Sequence, residues 1–163
     1  MEFMLESSGT AQLTNLSHVG VAVRNAEATA RWMSSVWNIG SPEIFDYFPK
    51  EEDIAYGEPF GVRLVWVKFG PLTFELLEPL DDKSIWARFI AQKGEGIHHV
   101  AFGVSNYVEM VEKLRAQGHD LLVDAVFEGC RWCYFETAPG GMVIELREEY
   151  PRRIRSVAEK ELA

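Results

Sequence analysis

One short pattern occurs twice in this chain, and that repeat constrains the fold more than any other feature. HVGVAV at 18–23 lies over HVAFGV at 99–104, and each segment is followed at once by a helix-capping residue. FELL at 74–77 lies over IELR at 144–147, each after a strand and a tight Gly/Pro turn. Between these anchors the order strand–helix–strand–strand–strand reads twice. A periodic repeat implies units that bury their apolar faces against one another. Because 81 residues separate His18 from His99 but 70 separate Glu75 from Glu145, the loops inside the two units differ in length.

The intervening residues supply the elements. Ser17–Val23 reads as an apolar strand, and Asn25–Trp37 as a helix with Asn25 as its N-cap. Ala28, Trp32 and Val36 are expected to form that helix's apolar stripe. Asn38-Ile39-Gly40 stops it. Residues 41–60 read as an irregular strand and a loop. Val62–Phe69 and Leu72–Leu77 form a hairpin about Gly70-Pro71. Asp81–Gln92 reads as a helix, Ile97–Val104 as a strand, and Ser105–Gln117 as a helix capped by Ser105 or Asn106 and stopped by Gly118. Strands follow at Leu121–Val126, Arg131–Thr137 and Met142–Leu146, the last two about Pro139-Gly140-Gly141. The boundaries read as an arm at 1–14, a first module at 15–80, a linking helix at 81–95, a second module at 96–148 and a charged tail at 149–163.

Composition narrows the function classes. The formal net charge is −9, from 16 basic and 25 acidic residues, which argues against nucleic-acid binding. No apolar run approaches the ~18–20 residues of a membrane span. The start, MEFMLESSGT, has neither a basic leader nor a long apolar run, so a cytoplasmic protein with no membrane partner is expected.

The repeat also sorts the two adjacent histidines of GEGIHHVAFGV. His99, not His98, is the counterpart of His18, and Glu75 is the counterpart of Glu145. If the modules are related by a pseudo-twofold, these four side chains converge on one point. Each taken singly reads best as a core histidine or a solvated strand carboxylate. Four at equivalent positions read as a metal site, and a glutamate within the apolar strand Phe74-Glu75-Leu76-Leu77 is costly to bury without a partner. Two nitrogen and two carboxylate donors suit one divalent ion, Co, Ni, Mn or Fe, with Zn also able to bind. His98, one residue from His99 on a strand, is expected on the opposite face in a structural role.

At these residues the sequence resembles the vicinal oxygen chelate superfamily, which includes glyoxalases, bleomycin-resistance proteins and extradiol dioxygenases. Within it the resemblance is to the methylmalonyl-CoA epimerases. It rests on TFELLEPLDDKSIWARFIAQKGEGIHHVAFGV, Thr73 to Val104, with HVGVAV before it and GGMVIEL after it, and it spans roughly residues 15–148. The resemblance implies an α+β fold in which two βαβββ modules form a cupped, open mixed β-barrel around a metal held by His18, Glu75, His99 and Glu145. It implies an isomerase, in which the metal acts as a Lewis acid on an acyl-CoA-like thioester and an enolate forms, with Glu145 catalytic in proton transfer. It also implies a homodimer. Where some epimerases carry a glutamate base this chain has Leu64, and the usual His-Pro-Lys segment is replaced by Phe135-Glu136-Thr137-Ala138-Pro139.

Two rival activities share these features. A glyoxalase I-type isomerase acting on a thiol hemithioacetal would use the same four ligands. A non-catalytic, resistance-type protein would hold an aromatic ligand in the cup, and Trp66, Trp86 and Trp132 favour an aromatic cleft. For the second proton carrier Glu136, Tyr134 and water are the candidates, with Glu136 better read as an exposed strand-end residue. Cys130-Arg131-Trp132-Cys133 has CxxC spacing, but on a strand the two thiols diverge. Arg88, Lys93 and Arg131 read best as ordinary surface charge, with contact to an anionic cofactor tail as the alternative.

Overall fold

The computed structural model describes residues 13, 15–40, 42–137 and 141–149 of the 163. Nearly all of the N-terminal arm, nearly all of the charged tail, and Ala138, Pro139 and Gly140 lie outside the described residues. The elements in chain order are β1 (Asn15–Ala22), α1 (Ala26–Trp37), β2 (Glu43–Tyr47), a 3-10 turn (Glu51–Asp53), β3 (Ile54–Tyr56), β4 (Val62–Phe69), β5 (Leu72–Pro79), α2 (Ile85–Lys93), β6 (Gly96–Val104), α3 (Tyr107–Ala116), β7 (Asp120–Phe127), β8 (Cys130–Thr137) and β9 (Met142–Glu148). No helix among the described residues is long and apolar enough to cross a membrane.

One mixed sheet takes all nine strands in the order β2-β4-β5-β1-β6-β9-β8-β7-β3. Each half repeats the other in mirror order: β2-β4-β5-β1 against β7-β8-β9-β6. The parallel pairs are equivalent, β1 with β5 and β6 with β9, and the halves meet at the antiparallel pair β1/β6. Val19 faces Val100 at the centre of that pair, so the pseudo-twofold passes between them. β3 departs from the symmetry, because the loop of the first half sends it to the far edge, where Ile54 pairs with Ala125 of β7. The sheet is curled, and its two wings approach across the cup. The Tyr47 hydroxyl donates to the Val126 carbonyl at 2.6 Å, and Phe45 stacks on Phe127.

Strand alternation divides the core. Inward residues such as Val62, Leu64, Leu77, Trp132, Tyr134 and Val143 pack inside the cup with Trp86 of α2. Outward residues of β8 and β9 pack under α3, and those of β4 and β5 under α1. Cys133 and Phe135 thus face α3 while Trp132 and Tyr134 face the cup, which puts Cys130 out of phase with Cys133.

α1 begins where Asn25 caps it, the side-chain oxygen accepting from the Ala28 amide at 2.7 Å, and ends at Asn38 in the left-handed region. Its buried face differs from the expected stripe. Ala26 and Ala30 are buried against Val65, Val67 and Leu76, while Ala28, Trp32 and Val36 are all exposed. Small side chains let the helix axis lie close to the sheet, so the alanine stripe wins over the larger apolar one. α2 starts at Ser84, whose hydroxyl accepts from the Ala87 amide, and the Asp81 carboxylate ties the preceding turn to Gly61.

Candidate metal centre

The register across the four central strands builds two rows that the pseudo-twofold interchanges. In one, Trp66, Glu75, Gly20 and His99 are successive neighbours on β4, β5, β1 and β6. In the other, Tyr134, Glu145, Ala101 and His18 are neighbours on β8, β9, β6 and β1. Each carboxylate therefore has an aromatic residue on its outer side and a small residue on its inner side. The small residue leaves room for the imidazole of the next strand. Rings from opposite rows also meet, His18 with Trp66 at 5.3 Å and His99 with Tyr134 at 4.6 Å between centroids.

The four predicted residues come together. His18 and His99 are fully buried, and Glu75 and Glu145 are 6% and 4% exposed. His18 Nε2 lies 3.1 Å from Glu145 Oε2 and 3.2 Å from Glu75 Oε2. His99 Nε2 lies 3.0 Å and 3.6 Å from the same two oxygens. One donor atom from each residue fits within a mutual distance of 4.8 Å. Two nearly solvent-free carboxylates with both imidazole Nε2 atoms aimed at them is the donor set of a divalent cation site, and these residues fit such an ion.

The electrostatics of the cluster are those of a site holding positive charge. Burial opposes charge on His18, but Glu145 and Glu75 outweigh it and raise its pKa to about 10. Burial pushes the Glu145 carboxyl up, and His18 and His99 more than reverse this, holding it well below the ordinary carboxylate range. Burial raises the Tyr134 hydroxyl well above its usual value, with Glu145 adding to the effect.

A cavity opens beside the cluster. Its wall is largely aromatic: Tyr47, Trp66, Trp86, Phe127, Trp132 and Tyr134. Leu64 and Leu77 line the first-module side, and Arg147 is the one cation among the described lining residues. Arg147 Nε stands 3.7 Å from Glu145 Oε1, and its guanidinium lies over the Trp66 ring at 5.6 Å. The Trp86 indole N–H is buried without a hydrogen-bond partner among the described residues.

The three tryptophans named from sequence all line this cavity, as does Tyr134; Glu136 is exposed at the end of β8. Arg147 also lines the cavity, and the repeat marks it as the arginine that stands where the first module has Leu77. Tyr47 and Phe127 carried no signal, since they reach the cavity only because the sheet curls. Arg131 is committed elsewhere, pairing with Asp124 at 3.0 Å and covering the Tyr107 ring, and Lys93 sits over Phe89.

His98 corrects the simple alternation expected for adjacent strand residues. It packs against α2, with Phe89 at 5.1 Å and Trp86 at 6.4 Å between centroids, yet its Nδ1 is 3.1 Å from His99 Nδ1. The ladder skips it: Gly20 pairs with His99 and Val21 with Ile97. This β-bulge gives the two neighbours a common side.

The chain is similar in sequence and in fold to known proteins. The Glyoxalase/Bleomycin resistance/Dioxygenase superfamily matches residues 17–135. An uncharacterized protein of Bacillus subtilis is 28% identical over 112 residues, covering 69% of this chain and 72% of its own. Human mitochondrial methylmalonyl-CoA epimerase is 28% identical over 142 residues, covering 83% of this chain and 74% of its own. Among solved structures, a variant of Streptomyces coelicolor methylmalonyl-CoA epimerase in complex with 2-nitronate-propionyl-CoA superposes with a TM-score of 0.64 at 25% identity, covering 86% of this chain and 97% of its own.

Proposed function

The chain belongs to the Glyoxalase/Bleomycin resistance/Dioxygenase superfamily, and from that membership we propose that it is a divalent-metal-dependent isomerase that epimerises an acyl thioester of the methylmalonyl-CoA type. The metal dependence in this reading rests on the buried His18/Glu75/His99/Glu145 quartet with all four donor atoms within 4.8 Å, and the choice of an epimerase rests on the similarity to methylmalonyl-CoA epimerases. His18, Glu75, His99 and Glu145 would hold the ion. When bound, it would supply Lewis-acid stabilisation to an enolate oxygen.

The chain's own residues account for the rest. Epimerisation needs a proton carrier on each face of the substrate's α-carbon. Among the described residues lining the cavity the carboxylates are Glu75 and Glu145, and the pseudo-twofold sets them on opposite modules. Glu145 takes or returns the proton on the β9 side and Glu75 on the β5 side. Leu64 cannot carry a proton, so the first-module role falls to Glu75. Arg147 faces the substrate's free carboxylate, and the surrounding rings exclude water and hold the acyl part.

A glyoxalase-type isomerisation of a hemithioacetal is the second reading. Leu64 favours it, because an apolar residue stands where some epimerases place a base. The experiment is proton NMR of (2R,S)-methylmalonyl-CoA in D₂O, with added Co²⁺ and with EDTA. Metal-dependent loss of the α-proton signal, faster than the blank, is the expected result. Stoichiometric metal binding without exchange would retire this substrate in favour of the hemithioacetal.

A further inference from the structure

The β1/β6 ladder contains two bulges, and they are equivalent. On β1 the pairing runs from Leu16–Phe102 to His18–Ala101 and skips Ser17. On β6 it runs from Gly20–His99 to Val21–Ile97 and skips His98. Ser17 and His98 stand immediately before His18 and His99 and occupy the same place in the two modules. In each case the bulge turns the extra residue's side chain toward its neighbour's ring. Ser17 Oγ is 3.1 Å from His18 Nδ1, and His98 Nδ1 is 3.1 Å from His99 Nδ1. Both ligand rings thus have Nδ1 engaged on one side and Nε2 aimed at Glu75 and Glu145 on the other.

We propose that Ser17 and His98 are positioning residues that fix Nε2 as the metal-binding nitrogen of His18 and His99. The inference rests on the metal reading of the quartet. A neutral imidazole carries one proton. If Nε2 is to offer its lone pair to a cation, that proton sits on Nδ1 and needs an acceptor. The Ser17 hydroxyl oxygen accepts it from His18. His98 accepts it from His99 through its own unprotonated Nδ1, which leaves the His98 proton on Nε2. The two supports differ in kind. Ser17 is half-buried, and water can stand in for its hydroxyl. His98 is 6% exposed and enclosed by Trp86, Phe89 and Tyr134, so nothing can replace it.

The test measures Co²⁺ affinity by titration in wild type, His98→Leu, His98→Asn and Ser17→Ala, and records histidine ¹⁵N spectra of the Zn²⁺-loaded wild type. His98→Leu removes the acceptor and is expected to weaken Co²⁺ binding about 10- to 100-fold. His98→Asn keeps an oxygen near the Nδ1 position and is expected to lose less than about tenfold, as is Ser17→Ala. In the Zn²⁺-loaded wild type the His99 proton is expected on Nδ1, with scalar coupling across the N–H···N bond to His98. Wild-type affinity in His98→Leu, or an His98→Asn loss as large as that of His98→Leu, would overturn the proposal. Should His98→Leu fail to fold, an unprotonated His99 Nδ1 in the loaded wild type would overturn it independently. Failure of the wild type to bind Co²⁺ at all would instead remove the metal reading on which it stands.

Discussion

Gly20 sits directly across the β1/β6 ladder from His99, and the His99 ring fills the space that a side chain on Gly20 would need. A Cβ built there collides with Cε1, Nε2 and Nδ1 of the imidazole. The twofold counterpart, Ala101 beneath His18, carries its methyl group fully buried. The two halves of the centre are alike in topology but not in clearance, and His99 is the ring held closer to the sheet.

Gly20→Ala is therefore expected to displace His99 and weaken Co²⁺ binding at least about tenfold, on the scale of losing a support of a ligand. Ala101→Gly, which only removes a methyl group and loosens a strand, is expected to cost about 0.5–1 kcal/mol in stability and to leave metal affinity nearly unchanged. Paired thermal melts and Co²⁺ titrations separate the two. Equal metal affinity in Gly20→Ala and wild type would show that His99 needs no clearance at Gly20.

If the quartet holds a cation, the charge state of His18 makes its affinity depend on pH. In the metal-free protein burial lowers its pKa, but Glu145 and Glu75 raise it overall from 6.5 to about 10. Its contribution to stability is complete below pH ~6.5 and is lost as pH rises through about 10. Glu145 runs the other way. Its carboxyl is held below the ordinary range, so its contribution is present above pH ~4.3 and is lost as pH falls. His98, lowered to about 3 first by burial and then by His99, also disfavours acid, beginning below pH ~6.5. The metal-free protein is thus expected to melt highest near pH 6–7. Binding a cation expels the His18 proton, so Co²⁺ affinity is expected to rise about tenfold per pH unit between 6.5 and 8.5. Isothermal titration in buffers of different ionisation enthalpy counts that proton; a flat profile would mean that His18 is already neutral.

Arg147 is where the twofold breaks inside the cavity, since its counterpart is Leu77. Arg147→Leu restores the symmetry and removes the one cation among the described residues of the cavity wall. If Arg147 meets the free carboxylate of a malonyl-type thioester, the lost charged hydrogen bond is worth about 1.5–3 kcal/mol. That corresponds to a rise in KM of roughly 10- to 100-fold. An uncharged acyl thioester should show no such change. The ratio of the two KM values is the readout, and a parallel rise for both would assign Arg147 to shape rather than charge.

Much of this centre was legible because it is repeated. Two histidines and two glutamates stand at matched places in two copies of one strand pattern, and these are the four candidate ligands that the fold brings together. The i, i+4, i+8 spacing of Ala28, Trp32 and Val36 suggests an apolar stripe, but all three are exposed, and the helix packs on the sheet through Ala26 and Ala30 instead. Strict alternation puts His98 on the face opposite His99, but a bulge cancels alternation locally without any mark in the apolar pattern. Tyr47 and Phe127 reach the cavity through the curl of the sheet, a property of all nine strands together that no local pattern encodes.

The strongest discrimination concerns Glu75 and Glu145 as a pair. Replacing either by Gln keeps a carbonyl oxygen for the metal but removes a proton carrier. Each single variant is expected to lower epimerisation by about 10²–10⁴-fold, the usual worth of a positioned acid or base. Stereochemistry then tells the two apart. With one carboxylate left, deuterium still enters from one face, so one epimer of methylmalonyl-CoA exchanges its α-proton without inverting. Glu75→Gln and Glu145→Gln should leave opposite epimers exchanging, and the double variant should leave neither. Chiral analysis of recovered thioester from D₂O, beside Co²⁺ titrations that confirm loading, gives the answer. Exchange into the same epimer by both variants would place the second proton carrier elsewhere and return Glu75 to the role of ligand alone.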